Sequence, residues 1–224
     1  MTLKTAQTKF GVKRVAVMYG NDDAFTKSGF DVFKETLDKM GIEIAAIETF
    51  GGKDTDFSAQ LTKVKSLNVD AVVVSALVEA ASGILLQARQ LGLPDNIFFV
   101  GGNGFNSSKL GEIAGKSADG VLVGSPWFIG KDDPSNQKFV EAFRKKHSSG
   151  PDQFSAQAYD TLHIVADAIS KASSTENEKL RQALLETKHS GVMGPFTFTD
   201  HRDPGSTEGV IVLTVKDGKF MALK

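Results

Sequence analysis

The chain has 224 residues, 41% of them hydrophobic, with 26 Lys+Arg against 27 Asp+Glu and no cysteine. That length buries well over half of its unfolded surface without staples, and the lack of cysteine excludes disulfides, thiolate zinc sites, iron–sulfur clusters and thiol nucleophiles. A formal net charge of -1 with no block of like charge excludes the basic footprint of a nucleic-acid binder, and no apolar stretch approaches the roughly 20 residues that cross a bilayer.

Residues 2–10 carry no apolar run behind a basic end, so no export signal is expected there. Leu3, Ala6 and Phe10 mark one helical face, closed by Gly11. From residue 12 the chain alternates strand-like runs with helical periods. Strands are expected over 12–19, 42–50, 69–75, 97–100 and 121–124. The helices between them show Phe30, Phe33, Leu37 and Met40; then Phe57, Leu61, Val64 and Leu67 behind a capping Asp56; then Ile84, Leu85, Ala88 and Leu91; then a short one capped by Ser107. Repeated βαβ units with right-handed crossovers predict an open, parallel, five-stranded α/β sheet in the flavodoxin-like order 2-1-3-4-5.

After Pro126 the pattern changes to three successive helices over 136–147, 154–170 and 175–187, the last with Thr175 and Glu178 spaced as a capping box. Strand signals return over 196–199, 210–216 and 219–223, the last two joined by Asp217-Gly218. Three apolar-faced helices without strands of their own must lie on something, and the sheet already has its helices.

Ligands of open parallel sheets bind at the carboxyl ends of the strands, so the loops 20–25, 51–54, 76–79, 101–106 and 126–128 hold the functional candidates. Asp22 and Asp23 suggest the acidic pair of a phospho-receiver, but Ser75 and Pro126 stand where its acceptor Asp and its Lys belong, so loop carboxylates or a helix cap are expected instead. Gly101-Gly102-Asn103-Gly104 lacks the third Gly of a dinucleotide loop and the Lys of a Walker loop. His147 and His189 are expected at helix ends, His163 within a helix and His201 in a turn; no pair has metal-ligand spacing. No catalytic residue, metal or cofactor is expected.

Several stretches together resemble one family. Val15-Ala16-Val17-Met18-Tyr19 with Asn21-Asp22-Asp23-Ala24-Phe25, Asp54-Thr55-Asp56-Phe57, Gln87-Ala88-Arg89-Gln90-Leu91-Gly92, Gly101-Gly102-Asn103-Gly104 and Pro151-Asp152-Gln153-Phe154-Ser155-Ala156-Gln157-Ala158-Tyr159-Asp160 are similar, in order, to the type I periplasmic substrate-binding proteins of branched-chain amino-acid (Leu/Ile/Val) ABC importers. The resemblance implies a non-catalytic solute-binding component for amino acids or related small polar or carboxylate solutes. Its parent would be periplasmic or extracellular, close two α/β lobes on the ligand and deliver it to an ABC permease. A ligand-sensing receptor or regulatory module of the same fold is the alternative.

The resemblance further implies that 12–128 with 210–224 are the second lobe, 1–11 a residual first-lobe helix, and 129–209 a crossover and helices of a first lobe otherwise largely missing. Phe25 falls where the family often has a ligand-lining Tyr, Leu77 and Val78 in a loop with a second contact, and Asn103 where an Asp or Glu usually receives the ligand ammonium. Trp127 is expected to wall the cleft or to pack the hinge. With the first-lobe sheet missing, the helices carrying Phe139, Val140, Phe143, Phe154, Leu162, Ile164 and Val165 are expected to form a homodimer, together with helix 3–10.

Overall fold

The computed structural model describes residues 1–205 and 209–223, so the parts of the expected ranges at 206–208 and 224 lie outside the described residues. The contacts divide the chain into two units, Met1–Ser125 with Ile211–Lys224, and Pro126–Val210.

In the first unit, β1 (Arg14–Gly20), β2 (Glu43–Phe50), β3 (Ala71–Ser75), β4 (Phe98–Gly101) and β5 (Leu122–Ser125) pair in parallel in the expected order β2-β1-β3-β4-β5. The same sheet continues through β8 (Ile211–Lys216) and β9 (Lys219–Ala222), both antiparallel to their neighbours. Because side chains alternate along a strand, Val72 and Val74 pack beneath α3 (Ser58–Ser66), α4 (Val78–Gln90) and α5 (Ser108–Ala114), while Ala71 and Val73 pack beneath α1 (Thr2–Phe10) and α2 (Ala24–Lys39). All five residues of β3 are buried, as covered parallel strands must be.

Helix 1–11, expected as a residual first-lobe helix, packs within the first unit here. Leu3 and Ala6 of α1 lie in one buried cluster with Val100 and Leu122, and Thr2 Oγ1 sits 2.3 Å from where a side chain on Gly124 would begin. An amphipathic helix adopts whichever sheet face is open to its apolar stripe, and here that is the face over β4 and β5. The boundary after β5 also falls at Ser125, so 126–128 belong to the second unit.

Asp217 (φ 50°) and Gly218 (φ 71°) make the tight turn between β8 and β9, as Asp-Gly dictates. This turn is seated on α5 backbone to backbone. A Cβ added to Gly111 would lie 1.8 Å from the Gly218 carbonyl oxygen, and Gly218 N–H donates to Asp119 Oδ1 at 3.3 Å.

The second unit contains α6 (Pro134–His147), α7 (Gln153–Ala172), α8 (Asn177–Leu185) and a hairpin of β6 (His189–Gly191) and β7 (Gly194–Phe196). Trp127, Phe139, Val140, Ala156 and Val192 form its core. Asp160 of α7 is buried, with its carboxylate accepting from Val192 N at 3.0 Å and Met193 N at 2.8 Å; this closeness is why Gly191 has no room for a side chain.

Three local expectations change. The strand expected over 196–199 is displaced to the hairpin, and Phe198 makes only an isolated bridge to Pro204. His189 lies on β6 rather than at a helix end, its ring nitrogens 3.8 and 3.9 Å from Asp160 and Asp167. The Thr175/Glu178 capping box does not form: α8 starts later, and Glu178 pairs with Arg181 instead. The capping box of this unit is Asp152 with Ser155, at the start of α7.

The Gly111 contact yields a test. Alanine is favoured over glycine within a helix by about 1 kcal/mol, but Gly111→Ala puts a methyl group into a carbonyl that cannot move without unseating the hairpin. The overpacking penalty of about 1–3 kcal/mol is expected to win, and urea unfolding should show a net loss of stability; a gain would mean the hairpin is not held there.

Candidate functional site

Because the first five strands are parallel, their carboxyl ends share one rim, and the register places neighbouring ends side by side: Gly20 opposite Phe50, Tyr19 opposite Ser75, Val74 opposite Gly101. Phe25 follows β1 by five residues, Leu77 follows β3 by two and Asn103 follows β4 by two. All three are exposed, Phe25 at 44% and Leu77 at 47%. Val78, the first residue of α4, is half-buried against the core.

Polar bonds at the ends of the strands fix the loops that carry them. Asp23 caps α2 by accepting from Thr26 N at 2.8 Å. The Thr26 hydroxyl donates to Gly20 O at 2.8 Å, and the Ser75 hydroxyl donates to Thr26 O at 2.7 Å, so the start of α2 is tied to both β1 and β3. Asp22 accepts from Gly52 N at 2.8 Å and joins the β1 and β2 loops. The carboxylates that sequence reasoning assigned to loop or cap duty are both in structural use.

The β3 and β4 loops meet main chain to main chain. A Cβ on Gly104 would lie 2.1 Å from Ala76 O and 3.3 Å from Leu77 Cα. Gly102 N donates to Val74 O at 3.1 Å, and Asn103 opens a single 3-10 turn through Phe105, whose ring is fully buried under Gly101. Asn106 then donates to the Ser125 hydroxyl at 2.5 Å and ties this loop to the end of β5. Periodicity could not reveal these two buried polar residues; only their position after a strand end hinted at a role.

Beside β2, Asp56 accepts from Ser58, whose hydroxyl and then backbone N–H hold the carboxyl below its usual range. Glu79 stands in the first turn of α4, two residues after Leu77. Among the described residues no group of three or more His, Asp or Glu side chains is gathered to hold a metal. A shallow concavity of about 650 Å³ runs beside Lys34, Asp38 and Ile44 of α2 and β2. It follows the edge strand β2 and includes none of the sequence-expected site residues.

Trp127 lies in the second unit, 2% exposed. Its indole N–H donates to Asn136 Oδ1 at 2.7 Å and its ring meets Phe139 edge-on. The structure therefore groups Phe25, Leu77, Val78 and Asn103 on one unit and sets Trp127 in the other.

The glycine and serine contacts can be tested as a pair. Gly29→Ala would place a methyl 2.4 Å from Ser75 Oγ and displace the hydroxyl from Thr26 O, costing about one hydrogen bond, roughly 1 kcal/mol. In a Ser75→Ala background that loss has already occurred. Gly29→Ala should then be milder by roughly that amount in a double-mutant cycle read by chemical denaturation; strict additivity would show that the two residues do not meet.

A sequence profile described as periplasmic binding protein matches residues 2–219. The leucine-, isoleucine-, valine-, threonine- and alanine-binding protein of Pseudomonas aeruginosa is 29% identical over 170 residues, 76% of this chain and 45% of its own. The isoleucine complex of the branched-chain amino-acid transporter substrate-binding protein LivJ of Streptococcus pneumoniae is 29% identical with a TM-score of 0.86, covering 98% of this chain and 62% of the other. An extracellular ligand-binding receptor of Rhodopseudomonas palustris is 28% identical with a TM-score of 0.88, covering 99% and 66%. The chain spans about half the length of the curated relatives it matches. The chain belongs to the periplasmic binding protein family.

Proposed function

We propose that this chain is the ligand-closing part of a solute-binding component of an ABC importer, with Phe25, Leu77, Val78 and Asn103 contacting a small amino acid or related polar or carboxylate solute. The observation that carries this is the rim itself, where two large apolar side chains and an amide stand exposed at the strand ends and the helix starts that follow them, on backbone locked by buried hydrogen bonds. Preorganised loops with a few exposed contact groups suit reversible binding. In this reading the first unit is the second lobe of a periplasmic or extracellular parent. The helices of the second unit belong to its first lobe, whose sheet comes from chain not included in these 224 residues, and a membrane permease receives the solute.

Asn103 bears on the ligand's charge. A carboxylate at that position would give an ammonium a charge-assisted bond, whereas an amide offers a neutral carbonyl and two donors. Leucine and 4-methylpentanoate differ only in the ammonium group, so the pair isolates its contribution. Asn103→Asp is expected to shift preference toward leucine by about 1.5–3 kcal/mol, measured by calorimetry on a protein extended to the length of the relatives. No change in the ratio would remove Asn103 from the site. Amide shifts in the 224-residue chain should cluster at Phe25, Leu77 and Asn103 when either compound is added; shifts confined to the β2 edge would overturn the rim.

The receptor of R. palustris supports a second reading, in which the same rim serves a ligand sensor. Neighbouring genes decide between them: permease and ATPase genes favour import, a kinase or DNA-binding partner favours sensing.

A further inference from the structure

The chain holds seven asparagines, and Asn103 is the one followed by glycine. Its side chain is exposed and makes no hydrogen bond among the described residues. The Gly104 N–H is likewise unengaged among them: the hydrogen bonds of the turn run from Phe105 N to Gly102 O at 3.0 Å and from Asn106 N to Asn103 O at 3.1 Å, and pass it by. Position 104 also has no room for a side chain, because a Cβ there would begin on the Ala76 carbonyl.

A free carboxamide followed by an unbonded main-chain nitrogen, with no Cβ beside it to hinder approach, sets an electrophile next to a nucleophile. The Gly104 nitrogen attacks Asn103 Cγ. The new Cγ–N bond forms, the Cγ–Nδ2 bond breaks, and Nδ2 leaves as ammonia with the proton lost from Gly104 N. Water then opens the resulting five-membered imide, at Cγ to give aspartate or at the Asn103 main-chain carbonyl carbon to give isoaspartate. The sum is an amide plus water going to a carboxylic acid plus ammonia, and no oxidant or cofactor is needed.

Ring closure requires Asn103 to leave its turn. It is the first residue of a three-residue 3-10 turn, on the exposed side, while the buried Phe105 ring anchors the far end; such turns have poorer hydrogen-bond geometry than an α-helix. The other asparagines are held or shielded. Asn106 is buried and bonded to Ser125, and Asn136 is buried with its amide donating to Ile129 O and Lys131 O. Asn21, Asn68, Asn96 and Asn177 each precede a residue with a side chain.

We infer that Asn103 is a site of spontaneous deamidation, which replaces an amide of the rim by a carboxylate. The fold fixes half of the reactive pair, since Gly104 cannot gain a side chain without displacing the β3 loop. On the ligand reading proposed above, the converted chain acquires a charged acceptor for an ammonium; that consequence rests on the reading, and the modification does not.

The 224-residue chain, held for days in warm, mildly alkaline buffer, is to be separated by isoelectric focusing and mapped by mass spectrometry. The expected product carries one more negative charge, focuses with the Asn103→Asp variant, and shows the amide-to-acid mass change at Asn103 ahead of the other six asparagines. Asn103→Gln keeps an amide but would have to close a larger ring, so it should lose this acidic form. Another asparagine converting first, or an acidic form that persists in Asn103→Gln, would overturn the proposal. In a protein extended to the length of the relatives, the aged form should share the preference of Asn103→Asp for leucine over 4-methylpentanoate. Conversion at Asn103 without that change supports the modification and removes Asn103 from the ligand contacts, so the two readings fail separately.

Discussion

The first unit depends on the complete burial of β3. Its five residues, Ala71–Ser75, have helices on both sides and strands on both edges, so every main-chain polar group there must be satisfied within the sheet. Where β3 ends, that obligation passes to the loops. The Ser75 hydroxyl closes on Thr26 O, Val74 O accepts Gly102 N, and Ala76 O lies against Gly104. The rim is thus the termination of a buried strand, and its loops are fixed because the strand's last carbonyls and hydroxyl need partners.

The same constraint explains what the amino-acid sequence revealed and what it hid. Apolar runs and helical periods located β1 to β5 and the helices between them, and the strand order was taken from the flavodoxin-like pattern. Loops after parallel strands converge on one end, which drew attention to the region of Phe25, Leu77, Val78 and Asn103, but it was the family resemblance that singled out those residues. What periodicity cannot carry is contact between glycines distant in sequence: Gly111 against Gly218, or Gly191 against Asp160, leaves no pattern in either segment. The fate of α1 was hidden for a related reason. An amphipathic stripe records that a helix is covered but not by which sheet, and only the open face above β4 and β5 decides it. The Thr175/Glu178 spacing misled because Arg181, three residues on, offers Glu178 a partner on the helix surface.

The two units meet the demand for burial differently. In the first, each helix has a sheet face beneath it. In the second, a buried aspartate does work that a sheet does elsewhere, with Asp160 gathering two main-chain N–H groups of a short hairpin onto α7. One indole N–H bonded to Asn136 and a few aromatic rings complete that core. A core of this size covers one side of a 20-residue helix, through Ala156, Ile164 and Ala168.

The rim separates residues that hold shape from residues that face outward. Gly29, Thr26, Ser75 and Gly104 are engaged in close main-chain contacts or buried hydrogen bonds, and changing them disturbs the fold. Phe25, Leu77 and Asn103 have large exposed surfaces, and substitution at exposed positions away from such contacts typically alters stability by no more than about 0.5 kcal/mol. These three positions can therefore change without weakening the scaffold. That division follows from parallel strands that end in locked loops with a few side chains left over to face the solvent.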